Sequence, residues 1–180
     1  MALTKLNNQS RPRTAGEIIQ VKSVTKADVQ SIAGLTFADV MSVSITPTST
    51  SSTILVMCDL NITCSLTDVN QTGARYSGVK LYRNSTQIAV NSDATGDQAK
   101  VWFSCQSTET TNSGYQQNAA SGSFIDSPAS TSALTYKIQA ANTYSSNHYT
   151  YINRQSYGWD DNYAYAHKGV STLTVMEIAG

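Results

Sequence analysis

Residues 53–65 alternate with hardly a break. Ile54, Val56, Cys58, Leu60, Ile62 and Cys64 are apolar, and from Asp59 onward the intervening Asp59, Asn61 and Thr63 are polar. Successive side chains of a strand point to opposite faces, so a period of two predicts one buried face. Leu55 and Met57 interrupt the polar series at the start, which predicts that this end is covered on both sides. The pattern is that of a central strand in an antiparallel sandwich.

The same period recurs along the chain. After Gly16, the residues Ile19, Val21 and Ser23 share a face. Residues 25–38 fit either a short helical turn or an edge strand. Met41, Val43 and Ile45 alternate with serines, and Pro47, which has no N–H for a ladder, ends that strand. Val79 and Leu81 fall inward in 74–83, and Asn84-Ser85 predicts a hairpin turn into 87–90. Val101, Phe103 and Cys105 alternate with Trp102 and Ser104. A weakly apolar strand covers 115–125, with a bulge expected at Gly122. Leu134, Tyr136, Ile138 and Ala140 alternate with Thr135, Lys137 and Gln139; Tyr149 and Tyr151 flank Thr150; the last strand is 171–178.

One turn sequence occurs twice. Pro47-Thr48-Ser49-Thr50-Ser51 and Pro128-Ala129-Ser130-Thr131-Ser132 share P-x-S-T-S, and each joins one strand to an inward-alternating next strand. Repeated turn chemistry points to two related halves. About nine or ten strands, two halves and no clear helix predict an all-β antiparallel jelly-roll β-sandwich. Residues 16–180 form that domain, and residues 1–15, which lack a hydrophobic period, read as an arm tied to a neighbouring subunit or a larger assembly.

Composition narrows the function. Charged residues make up only 13% and the formal net charge is zero, so there is no basic surface for nucleic acid. No apolar run reaches the ~20 residues of a membrane span, and the polar N-terminus lacks a secretion signal. Three cysteines are an odd number. Cys58 and Cys64 share a face but sit roughly 20 Å apart at about 3.3 Å per residue, too far to bridge. All three read as small buried hydrophobes of a reducing compartment, with Cys105 able to face either of the others.

No catalytic constellation appears: no G-x-S-x-G elbow, Gly-rich phosphate loop or C-x-x-C pair. Asp160 and Asp161 are adjacent and point apart in an extended chain, which disfavours a glycosidase pair. With Asn162 they offer hard oxygen ligands, although a solvated loop tip is the plainer reading. His148 and His167 are too few for a metal cluster, so no cofactor and no metal are expected. The unusual segment is 142–168, which carries Tyr144, Tyr149, Tyr151, Tyr157, Trp159, Tyr163 and Tyr165. Such rings have a rigid apolar face and a polar tip, suited to stacking on sugars or to protein recognition. They also suit a subunit interface. Tyr144, His148, Tyr157, Trp159, Asp160, Asp161, Tyr163 and Tyr165 are therefore expected at a receptor-binding surface, and Tyr136, Tyr149 and Tyr151 at a trimer interface. Leu3, Leu6, Arg11 and Arg13 are expected to anchor the arm.

The chain resembles a family of short virion proteins of tailed bacteriophages, abundant in marine and cyanobacterial phages. The resemblance rests on Gly16-Glu17-Ile18-Ile19-Gln20-Val21, Val43-Ser44-Ile45-Thr46-Pro47, Ile54-Leu55-Val56, Phe124-Ile125-Asp126-Ser127-Pro128, Thr135-Tyr136-Lys137-Ile138-Gln139 and Ser171-Thr172-Leu173-Thr174-Val175-Met176-Glu177-Ile178. Ala2-Leu3-Thr4-Lys5-Leu6 also resembles the start of phage fibre and tail proteins. Residues 25–38 and the tyrosine-rich loop depart from the pattern. The resemblance implies a tumour necrosis factor-like jelly roll that assembles as a homotrimer. It implies a non-enzymatic virion structural protein, made in the bacterial host cytoplasm and bound to other virion proteins. Two roles follow: a fibre-type adhesion module whose aromatic loops touch a host-surface glycan or protein, or a capsid cement protein that stabilises the major capsid lattice. Fifteen extended residues span at most roughly 50 Å, too short for a shaft.

Overall fold

The computed structural model describes residues 13–64, 74–108, 116–156, 162, 164 and 166–180. The alternating stretch is strand β4 (Thr53–Cys64), and it lies at the centre of a sheet. One edge of β4 pairs with β11 (Ser171–Ile178) and then, at its far end, with β10 (Tyr149–Ile152). The other edge pairs with β8 (Asn118–Asp126). β1 (Ile18–Lys26) continues the sheet beyond β11, and the short β2 (Gln30–Ala33) continues it beyond β10. Residues 25–38 thus resolve as the end of β1 and an edge strand.

The second sheet contains β3 (Ala38–Ile45), β9 (Leu134–Asn142), β5 (Ala74–Arg83) and β7 (Phe103–Thr108), with β6 (Thr86–Ile88) forming the predicted hairpin with β5. All pairings in both sheets are antiparallel. Without the three short strands β2, β6 and β10, the orders are β1-β11-β4-β8 and β3-β9-β5-β7. The chain changes sheet at every step between these eight strands except β5 to β7. That is the jelly roll, two interleaved four-stranded sheets.

In β4, β5 and β9 the core is the apolar set the alternation predicted, whereas in β1 the register shifts between Ile18 and Gln20 and Val21 is 50% exposed. Ile54, Val56 and Ile62 of β4 are fully buried, as are Val79 and Leu81 of β5 and Ile138 of β9. The three cysteines are free and buried, and Cys105 faces Cys64, whose thiol donates to the Cys105 carbonyl oxygen at 3.4 Å. The two P-x-S-T-S turns match in detail. The Ser51 N–H donates to Ser49 Oγ at 3.2 Å and the Ser132 N–H to Ser130 Oγ at 3.1 Å. One turn carries β3 into β4 and the other β8 into β9, so each crosses between the sheets.

Three expectations need correction. Gly122 is not a bulge: the β4–β8 register runs without a shift from Ile54↔Asp126 to Ile62↔Asn118. Glycine is needed there because an added Cβ would lie 2.7 Å from Phe103 Cδ1 and 3.0 Å from Trp102 Cε2. Tyr136 is wholly buried, its hydroxyl donating to Asp126 at 2.7 Å, so it is a core residue and not part of a subunit interface. Its parity with Leu134 and Ile138 puts it there. Lastly, the first half of β4 is covered on one face only: Leu55 is half-buried and Met57 exposed.

Candidate functional site

The sandwich has two chemically different ends, set by the direction of β4. At its start, Thr53 pairs with Ile178. There the Gly16 N–H donates to the Ala179 carbonyl at 2.8 Å, and Arg13 Nη1 donates to Thr48 Oγ1 at 2.6 Å. Arg13 also lines a cleft of about 340 Å³ with Ile19, Ser49, Ser51 and Ser52. Beside it Glu177 is buried, and its carboxylate accepts from the Thr48 N–H and hydroxyl, Ser52 Oγ and Gln20 Nε2. Burial pushes the Glu177 pKa up, but those donors together outweigh it and hold the group below its ordinary value. Arg13, the first described residue, thus lies at this end of β4. Leu3, Leu6 and Arg11 lie outside the described residues.

At the other end of β4, Thr63 pairs with Tyr151. Twelve residues at about 3.3 Å each put the two ends roughly 40 Å apart. The loop leaving β9 is shaped by Asn142, whose Oδ1 accepts from the N–H groups of Tyr144 and Ser145 at 2.8 and 3.0 Å, an Asx turn. It is tied to the loop after β2, where the Gly34 N–H donates to the His148 carbonyl at 2.8 Å. Gly34 has φ +69°, and an added Cβ would lie 3.2 Å from the Ser146 carbonyl, so glycine allows this close passage.

These ties present aromatic rings. Tyr144 is 53% exposed, and the Arg75 guanidinium lies 4.8 Å from its ring centre. Tyr149 and Tyr151, two apart on β10, project from the same face with parallel rings 5.9 Å apart. The Arg154 guanidinium sits over the Tyr151 ring at 4.0 Å. Cation–π contact of this kind orders a ring while leaving its outer edge and hydroxyl available. Below them Asn153 is buried and pins the strand end. Its Nδ2 donates to the carbonyls of Lys26 and Asp28, and its Oδ1 accepts from Ser171 Oγ at 2.7 Å.

His148 is a correction. It is buried, not displayed. Its ring meets Tyr144 edge-on at 5.3 Å and its Nδ1 lies 3.0 Å from Ser145 Oγ, while Nε2 makes no hydrogen bond among the described residues. Burial, and then the charge of Arg75, hold its pKa below the ordinary value, so the ring is neutral at pH 7. Tyr157, Trp159, Asp160, Asp161, Tyr163 and Tyr165 lie outside the described residues.

Arg75 and Arg154 were missed by sequence reasoning. Arg154 follows Tyr151 by three residues, a signal present in the sequence. Arg75 comes from β5 and has no local link to Tyr144. Among the described residues no group of three or more His, Cys, Asp or Glu is placed to hold a metal ion, and no helix is long and apolar enough to cross a membrane.

No protein-family model matches the chain, and no curated protein matches it. Among solved structures it is similar to infectious bursal virus derived T=1 particles, at 11% identity and a TM-score of 0.40, over 99% of this chain and 41% of the other. It is similar to the VP2 subviral particle of infectious bursal disease virus at 11% identity and a TM-score of 0.38, over 99% and 42%. The Gt strain of that virus gives 12% identity and a TM-score of 0.39, over 99% and 41%. The chain spans less than half the length of each of these proteins.

Proposed function

We propose that this chain is a non-enzymatic virion structural protein of a tailed bacteriophage, acting as an arm-anchored adhesion module. The observation that carries the reading is the polarity of the domain. The arm joins one end of β4, and the ordered, partly exposed tyrosines occupy the other, roughly 40 Å away at about 3.3 Å per residue. An anchor and a contact surface at opposite poles suit a module that is held by a particle and touches something beyond it. The sequence resemblance to short phage virion proteins supports the same reading.

The contact surface in this reading is Tyr144 together with Tyr149 and Tyr151. The sequence led us to expect the latter two at a trimer interface; they are assigned here to the contact surface because they lie on β10, at the end of β4 away from Arg13. Arg75 and Arg154 back the rings. Its chemistry fits a host-surface glycan, whose hydroxyls bond the phenol tips and whose apolar ring faces pack against the tyrosine edges that the guanidiniums leave open. Each contact is weak. Several copies per assembly, a homotrimer by the resemblance, and many assemblies per particle turn weak contacts into strong attachment.

Antibody labelling of intact virions, combined with adsorption of particles carrying Tyr149→Ser and Tyr151→Ser, tests this. Label at the tail and adsorption slowed by at least ~10-fold are expected, since avidity multiplies a loss at every copy. Label spread over the head would mean a capsid cement protein. Unchanged adsorption by intact double-variant particles would remove the aromatic end from the mechanism.

A further inference from the structure

The alternation predicts that the first half of β4 is covered on both faces, yet within this chain only one face is. Cross-strand register carries the uncovered positions over four strands. Val21, Met176, Leu55 and Ile125 are direct neighbours on the outer face of β1, β11, β4 and β8. Ile18 and Ile178 pair in the next row toward the arm end, and Met57 stands in the row on the other side. Val21 is 50%, Ile18 56% and Ile125 62% exposed. At ~4.8 Å between strands and ~3.3 Å per residue, four strands by five residues cover roughly 300 Å². An apolar patch of that size matches the largest that a typical monomer exposes, and such patches are often functional.

The surroundings of the patch are as informative. Ser23, Thr174 and Ser123 lie between the apolar residues, and the first ionisable outward residue along β4 is Asp59. The outer face of the second sheet differs, carrying Asp39, Lys80 and Lys137 among serines and threonines. Of the other exposed large apolar residues, Leu35, Val90 and Val170 are scattered outside the strands, and Tyr76 on β5 and Tyr149 on β10 stand singly in theirs.

We infer that the outer face of the β1-β11-β4-β8 sheet is covered by a second copy of this chain. A patch without charge does not select a charged partner, and a chain of formal net charge zero meets its own copy without long-range repulsion. Every copy bears the same face, so the faces of two or three copies about one symmetry axis hide one another. The apolar centre is about two fifths of the roughly 800 Å² that one partner contributes to a standard interface, and the hydroxyl-bearing rim supplies the rest. This surface is distinct from the tyrosines at the end of β10. It stands whether or not the chain is an adhesion module.

Sedimentation equilibrium of the full chain across the micromolar range tests the inference. The wild type is compared with Val21→Lys on β1 and Ile125→Lys on β8, and with Ser42→Lys on the outer face of the second sheet as control. The wild type is expected to sediment above the 19.4 kDa of one chain. Either lysine on the first sheet should weaken association on the order of 100-fold, because it forces an unpaired charge into an apolar contact, with unchanged circular dichroism. Ser42→Lys should leave association intact. A wild type that is monomeric at every concentration overturns the inference, as does association undiminished in both first-sheet variants. Should one of those two fail to fold, the other decides.

Discussion

The hydroxyl of Tyr136 on β9 donates to Asp126 at the end of β8 at 2.7 Å, and Arg83 of β5 holds the same carboxylate at 2.7 and 2.9 Å. The phenol and the guanidinium come from one sheet and the carboxylate from the other, so this cluster ties the sandwich together beside the second P-x-S-T-S turn. Tyr136→Phe removes one hydrogen bond to a charged acceptor and should cost about 1.5–3 kcal/mol in urea unfolding. Arg83→Met should cost more, because it leaves a buried carboxylate without its counter-charge.

The same pair sets an alkaline limit. Burial, and then the Asp126 carboxylate, raise the Tyr136 pKa above its ordinary value of about 10. The fold therefore favours the neutral phenol. Its contribution is complete below about pH 10 and drains as pH rises from there toward the folded pKa. Urea midpoints between pH 8 and 11 should fall more gently in Tyr136→Phe than in the wild type. An equally steep fall in both would mean that Tyr136 does not control it.

Glu177 sets the acid limit. Its folded pKa lies below the ordinary value near 4.3, so its contribution is present above that pH and is lost as pH falls through the folded pKa. Glu177→Gln should cost about 1–3 kcal/mol at pH 7, since an amide nitrogen then faces a donor such as Gln20 Nε2. The difference from wild type should shrink at pH 3. A constant difference across that range would show that ionisation of Glu177 plays no part.

Gly122 gives way to an aromatic pair. Trp102 and Phe103, with ring centres 5.0 Å apart, fill the space that a side chain on β8 would occupy. Gly122→Ala should destabilise by about 1–3 kcal/mol through overpacking, and Phe103→Leu in the same chain should recover part of the loss. Additive losses in the double variant would place the strain elsewhere.

The Cys58 thiol should be inert. Burial, and then the charge of Asp59, push its pKa up to about 12, and the thiolate is the reactive form. With all three cysteines buried, a disulfide reagent at pH 8 should titrate them only after denaturation. A fast equivalent in the native protein would expose a thiol that the fold is expected to shield.

Sequence reasoning went furthest where the pattern was local. The alternation along Ile54, Val56, Cys58, Leu60 and Ile62 identified β4 and its inward face, and the serines after Pro47 and Pro128 identified two equivalent crossings. Tyr136 was legible as well, since it shares its parity with Leu134 and Ile138, but the abundance of tyrosine drew it toward an interface. His148 was misplaced for a different reason. Its burial depends on the Gly34 N–H reaching its carbonyl from a loop more than 100 residues earlier, and no local spacing encodes that.

Strand identity, buried face and jelly-roll class therefore belonged to the sequence alone, because a period of two is a property of consecutive residues. Tertiary structure decided which strands became neighbours, and so it decided what met across them. Pairing put Arg75 over Tyr144 and aligned Val21, Met176, Leu55 and Ile125 in one uncovered row. Of the four aligned residues, only Leu55 stands out in its own segment, where it breaks the alternation. They form a surface only because antiparallel register brings positions far apart in the chain to within about 5 Å of one another.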